Sequence, residues 1–152
     1  MNCLILFPLV FAAASHADDP AMALNQKAQR MLERGRLPQA ARTFARAAGM
    51  ASNDLAAAMM LRNQALTVLR MDDAKAARQL AEQALSLVEH AAGPRDRHLT
   101  PVLNTLAEVA FAEQRYADAT GILDRAIAIG ECAGPHYATA IHNRAAVARK
   151  LD

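Results

Sequence analysis

Apolar residues recur along the chain at the spacing of helices that bury one face. Leu24, Ala28, Met31 and Leu32 mark the first such stretch, Ala21 to Arg34, and Gly35-Arg36 interrupts it. Pro38 follows where the first turn of a helix tolerates proline, and Ala40, Ala41, Phe44, Ala47 and Ala48 form a second apolar face. Gly49 and Ser52-Asn53-Asp54 end that unit and offer an N-cap to the next helix. A third helix is predicted over Leu55 to Leu69, with Met59, Leu61, Ala65, Leu66 and Leu69 inward. Asp72-Asp73 breaks it and places negative charge where the dipole of the following helix favours it. That fourth helix, Ala74 to about Ala92, turns Ala77, Leu80, Ala81, Ala84, Leu87 and Val88 inward. Gly93-Pro94 stops it, and Arg95 to His98 reads as an exposed linker before Pro101 in the first turn of the fifth helix. Helices five and six fill Leu103 to Pro135, with a break at Gln114-Arg115 and an end at Gly134-Pro135. A seventh, Tyr137 to Leu151, carries Ala140, Ile141, Ala145, Val147 and Ala148 and has no partner helix.

The pairs repeat at intervals of about forty residues. Gly93-Pro94 recurs as Gly134-Pro135, and QALSLVEHAAGP (Gln83 to Pro94) echoes RAIAIGECAGP (Arg125 to Pro135). Ala40, Ala77 and Ala119 share one place early in each second helix; Phe44, Ala81 and Leu123 follow, then Ala47, Ala84 and Ala126. This small–large–small pattern resembles the tetratricopeptide repeat, and the long period with its Gly-Pro break is similar to the variant of about 42 residues seen in kinesin light chains. No unit carries the consensus Trp, and Ala81 stands where a large residue is usual. The resemblance implies an all-α, right-handed α-solenoid of three helix pairs (about 21–52, 54–94 and 99–135) plus a capping helix (137–151). A bundle of Ala-rich helices without superhelical stacking is the alternative.

Composition agrees with a single helical domain. Of 152 residues 53% are hydrophobic, enough for a core, while only 4% are aromatic and Trp is absent. Alanine, abundant throughout, is the best helix former and lets helices approach closely. A formal charge of +2 gives no basis for nucleic-acid binding. Residues 1–17 differ: an apolar run from Cys3 to Ala14 precedes Ser15-His16-Ala17, a pattern expected of a signal peptide cleaved after Ala17. The run is too short for a stable membrane anchor. No Lys or Arg precedes it and Pro8 interrupts it, so the other reading is a start nearer Met22 and a cytoplasmic protein. With the signal removed, residues 18–152 form the domain, expected in the periplasm or secreted. Cys132 is then a lone thiol that forms no internal disulfide, and its place near a helix C-terminus does not favour a thiolate.

Each first helix carries an asparagine near its middle: Asn25, Asn63, Asn104 and, in the last helix, Asn143. Asparagine is a poor helix-interior residue, so its recurrence at the repeat interval calls for a reason. Amides on one face could bond the backbone of an extended peptide without demanding a side-chain sequence, or they could face water or bond between adjacent repeats. The resemblance implies groove asparagines of the first kind, and its offsets add Gln29, Arg62, Leu66, Glu108, Phe111 and His142 to the candidate groove. Lys27, Arg30 and Arg34 share one helix face that could steer an acidic partner or favour contact between copies, although solvated charged faces are common.

Catalytic patterns are missing. His90, His98, His136 and His142 make no metal-ligand spacing, Gly134-Pro135 separates Cys132 from His136, and no phosphate loop, triad or carboxylate pair is recognisable. The expectation is a non-enzymatic scaffold without cofactor or metal, holding a protein or peptide partner and free to join a homo-oligomer or larger envelope complex. A chaperone-like holder of an exported or secreted client is the second reading.

Overall fold

The computed structural model describes residues 19–130 and 134–151. The expected signal segment and Cys132 lie outside them. Local chemistry sets most helix starts. Asp19 Oδ1 accepts from the Ala21 N–H at 2.9 Å and opens α1 (Pro20–Glu33). Asn53 and Asp73 do the same for α3 (Asp54–Leu69) and α4 (Ala74–Ala92), each accepting from the residue three positions on at 2.9 Å. Proline enters the first turn of α2 (Leu37–Gly49) and α7 (Pro135–Ala148); α5 (Leu99–Ala112) and α6 (Tyr116–Ile129) complete the described helices.

The three breaks within helix pairs share one geometry. Gly35, Asp72 and Gln114 are left-handed, with φ of 71°, 63° and 61°. The residue after each donates its N–H to a carbonyl five back: Arg36 to Met31 (2.9 Å), Asp73 to Val68 (3.3 Å) and Arg115 to Ala110 (2.8 Å). These close the last turn of the first helix and send the chain back antiparallel. Between pairs the two Gly-Pro sites differ. Gly93 caps α4 as expected, but α6 stops at Ile129 with Gly130 as its cap, and Pro135 opens α7 instead of closing α6. Proline lacks an N–H and has a preset φ, so it suits a helix start. Gly130 is needed for another reason: a Cβ there would lie 2.9 Å from Tyr137 Cδ2, so only glycine admits the tyrosine.

Each helix packs on its neighbours in sequence, and α3 also touches α5 as α5 touches α7. Contacts of this kind make a stack in which each unit meets only adjacent units. Ala40, Phe44 and Ala47, Ala77, Ala81 and Ala84, and Ala119, Leu123 and Ala126 are all fully buried. At Ala81, where a large residue is usual, Leu106 of α5 joins Ala65 and Ala81 in one cluster.

Two expectations are corrected. In α3 the fully buried positions are Ala58, Met60, Ala65 and Thr67, whereas Met59, Leu61, Leu66 and Leu69 are only half-buried. This helix meets α2, α4 and α5 together, so its inward positions are spread round the axis and no single stripe marks them. In α7, Ala140 is buried but Ile141 is 46% exposed and Ala145 is exposed, because α7 packs on α5 and α6 from one side only.

Candidate functional site

The first helices of the pairs, with α7, form a row. The Asn63 amide of α3 donates to Asn25 Oδ1 of α1 at 3.0 Å, and Asn63 Oδ1 accepts from Arg62 at 3.3 Å. One pair farther on, Asn104 donates to the backbone carbonyl of His136 at 2.8 Å, tying α5 to the start of α7. Asn25, Asn63 and Asn104 thus serve first as ties between neighbouring units of the stack. Their bonding capacity is not exhausted: Asn104 Oδ1 and Asn143 Nδ2 are buried and have no partner among the described residues. An unmet buried polar group costs about 1–3 kcal/mol.

Glu108, Phe111 and Asn143 come together around a cavity of about 220 Å³ that Ala107, Leu123 and Val147 line with apolar surface. Phe111 is held edge-on to Tyr116, with ring centroids 5.3 Å apart. Glu108 keeps contact with solvent although protein flanks it, as a side chain in a trough does. Loss of hydration raises its pKa, opposed by the charge of Arg62, the nearby Asn143 amide and Arg70. Asn143 approaches the carboxylate without reaching hydrogen-bond geometry. Burial likewise lowers the pKa of Arg62, with Glu108 acting the other way, and burial together with Arg62 lowers that of His136.

Arg62 and Glu108 therefore feel each other across the row but do not close an ion pair. Leu66 is half-buried on α3, while Gln29 on α1 and His142 on α7 are exposed and join neither cluster. His136 and Thr100 escaped the sequence reading. No periodicity marks the backbone carbonyl that Asn104 seeks, and a threonine before Pro101 looks like an ordinary first-turn residue. Among the described residues no group of three His, Cys, Asp or Glu side chains is placed to hold a metal ion, and no helix is long and apolar enough to cross a membrane.

No family model matches the sequence, and no curated protein matches it. Solved structures do. The crystal structure of BtubC (BKLC) from P. vanneervenii superposes with a TM-score of 0.75 at 18% identity, over 86% of this chain and 56% of that one. The chain thus spans little more than half of BtubC. The first TPR of Spaghetti (RPAP3), bound to the HSP90 peptide SRMEEVD, superposes with a TM-score of 0.69 at 14% identity, over 86% of this chain and 94% of that one. The fold is the tetratricopeptide-repeat α-solenoid: paired antiparallel helices stacked side by side, with a last helix packed against the third pair.

Proposed function

We propose that the protein is a non-enzymatic interaction scaffold that holds an extended polypeptide along the row of α1, α3, α5 and α7. The observation that carries this reading is the pair of unmet amide groups, Asn104 Oδ1 and Asn143 Nδ2, on facing helices of that row. One accepts and the other donates, which suits the N–H and C=O of a peptide backbone. The cavity between Glu108, Phe111 and Asn143 offers room for one apolar side chain of the ligand. Further support comes from the similarity to a repeat unit that binds a peptide, SRMEEVD, over nearly all of that unit. The exposed Lys27 and Arg30 on α1, with Arg34 just past its end, would draw an acidic flank of such a ligand towards the N-terminal end of the row.

A displayed random-peptide library selected on the wild-type chain supplies ligands for the test. Replacing Asn104 and Asn143 together by alanine is expected to weaken the selected peptides at least about tenfold, the scale of one or two lost buried hydrogen bonds, with helical circular dichroism unchanged. Equal affinity for the double variant would remove the amides from the binding face.

A further inference from the structure

In the third helix pair nearly every carboxylate is matched to a cation. Between residues 99 and 130, Glu113 meets Arg78 at 3.6 Å and Arg115 at 2.9 Å, Asp118 meets Arg115 at 2.7 Å, and Asp124 meets Arg144 at 2.9 Å. Glu108 is the exception and closes no ion pair among the described residues. It stands in the wall of the cavity of about 220 Å³ between α5, α6 and α7, and every other lining residue there is uncharged.

The groups around Glu108 do not make up the deficit. Arg62 and Arg70 of α3 act on it only from beyond ion-pair distance, and Arg144 of α7 is taken by Asp124 of α6. His142 of α7 is exposed and lies outside the cavity lining, and the Asn143 amide stops short of a hydrogen bond. Lost hydration outweighs all of these at the carboxyl. A side chain entering the cavity from the row would cover Glu108 further. With an apolar end it would remove remaining water and return nothing, leaving a charge buried without a partner. With a cationic end it replaces that water by a charge-assisted hydrogen bond. The rest of the wall suits such a side chain. Ala107, Leu123 and Val147 offer apolar surface to a methylene stem, and the ring of Phe111 is favourable to a nearby cation. Because Glu108 still touches solvent, the charged end stays near water, which limits the cost of seating it.

The geometry points to a basic side chain as the occupant of this cavity, its stem on Ala107, Leu123 and Val147 and its charged end on the Glu108 carboxylate. The assignment rests on the reading of the row as a peptide groove and names the ligand residue that the groove selects. Arginine and lysine share the chemistry: arginine forks onto both carboxylate oxygens, whereas lysine offers a point charge.

Peptides selected from the random library on the wild-type chain test it. They are expected to share one basic residue. One selected peptide is then made with arginine, lysine, norleucine (a comparable stem without the charge) or glutamate at that position, and affinities are measured by calorimetry on the full chain. The basic forms should bind wild type at least about fivefold more tightly than the norleucine form, and the glutamate form should bind worst. The order of arginine and lysine tells a forked contact from a point charge. Glu108→Gln should bring the basic and norleucine forms level while the norleucine form binds no worse than before, and Glu108→Lys should invert the order in favour of glutamate. Equal affinity of basic and norleucine forms for wild type, or a basic preference that survives Glu108→Gln or Glu108→Lys, overturns the assignment. If those peptides still weaken when Asn104 and Asn143 are replaced, the peptide groove itself stands. A library that yields no ligand, or ligands indifferent to both asparagines, overturns the groove and the assignment with it.

Discussion

Glu108 shows how position in a trough, and not sequence context, sets the chemistry of a side chain. It sits mid-helix in LAEVAF, where a surface glutamate would be unremarkable. Flanking helices strip enough water from it to raise its pKa despite the nearby arginines. A carboxyl whose folded pKa lies above its unfolded value contributes full stability below the ordinary value of 4.5 and loses that contribution as pH rises through the folded pKa. Glu108→Gln keeps the uncharged form at every pH. Its melting temperature at neutral pH should exceed wild type, by no more than about 2 °C because solvent still reaches the group, and the difference should close near pH 4. A lower melting temperature for the variant at neutral pH would show that attraction to Arg62 outweighs the lost hydration.

Between helices, the decisive elements are the turns. Gly35, Asp72 and Gln114 occupy equivalent left-handed positions, yet only the first is the residue that suits them best. A left-handed non-glycine residue costs about 1–2 kcal/mol, and aspartate tolerates it better than glutamine. Gln114→Gly should therefore stabilise the α5–α6 hairpin by about 0.5–1 kcal/mol after the entropy of the added glycine, read as a higher urea midpoint with unchanged slope. An unchanged or lower midpoint would mean that the turn is not strained at Gln114. The reading of breaks at Gly35-Arg36, Asp72-Asp73 and Gln114-Arg115 was available from the sequence because turn and cap residues act locally. The start of α7 at Pro135 was not, because proline after glycine marks a helix end and a helix start equally well, and the surrounding packing decides between them.

The whole molecule is a stack, so its stability is expected to divide along its length. The largest apolar cluster joins α3 to α7, while Phe44 organises a smaller cluster with Ala28 and Ala40 in the first pair. Phe44→Ala removes a fully buried ring, a loss of about 3–5 kcal/mol. Hydrogen exchange should quicken in α1 and α2 while α4 to α7 keep their protection, as neighbour-only contacts require. Uniform loss of protection would mean that the chain unfolds as one cooperative body. Legibility also varied with scale. The small–large–small positions were readable and all proved buried, since an antiparallel helix pair needs a small residue wherever the backbones approach. The buried set of α3 was not, because it depends on three neighbours at once.

By itself, the sequence determined which segments are helical, where they turn back and which alanines sit between paired helices. Those follow from 3.6-residue periodicity, turn chemistry and local steric limits, all of which act within a few residues along the chain. Only the tertiary structure decided what the asparagines bond, which side of α7 stays open, and that Arg62, Thr100 and Tyr137 share one cleft. Groups from distant repeats meet there because parallel helices bring their starts to a common edge, and no pattern within one helix encodes which atoms are left without a partner.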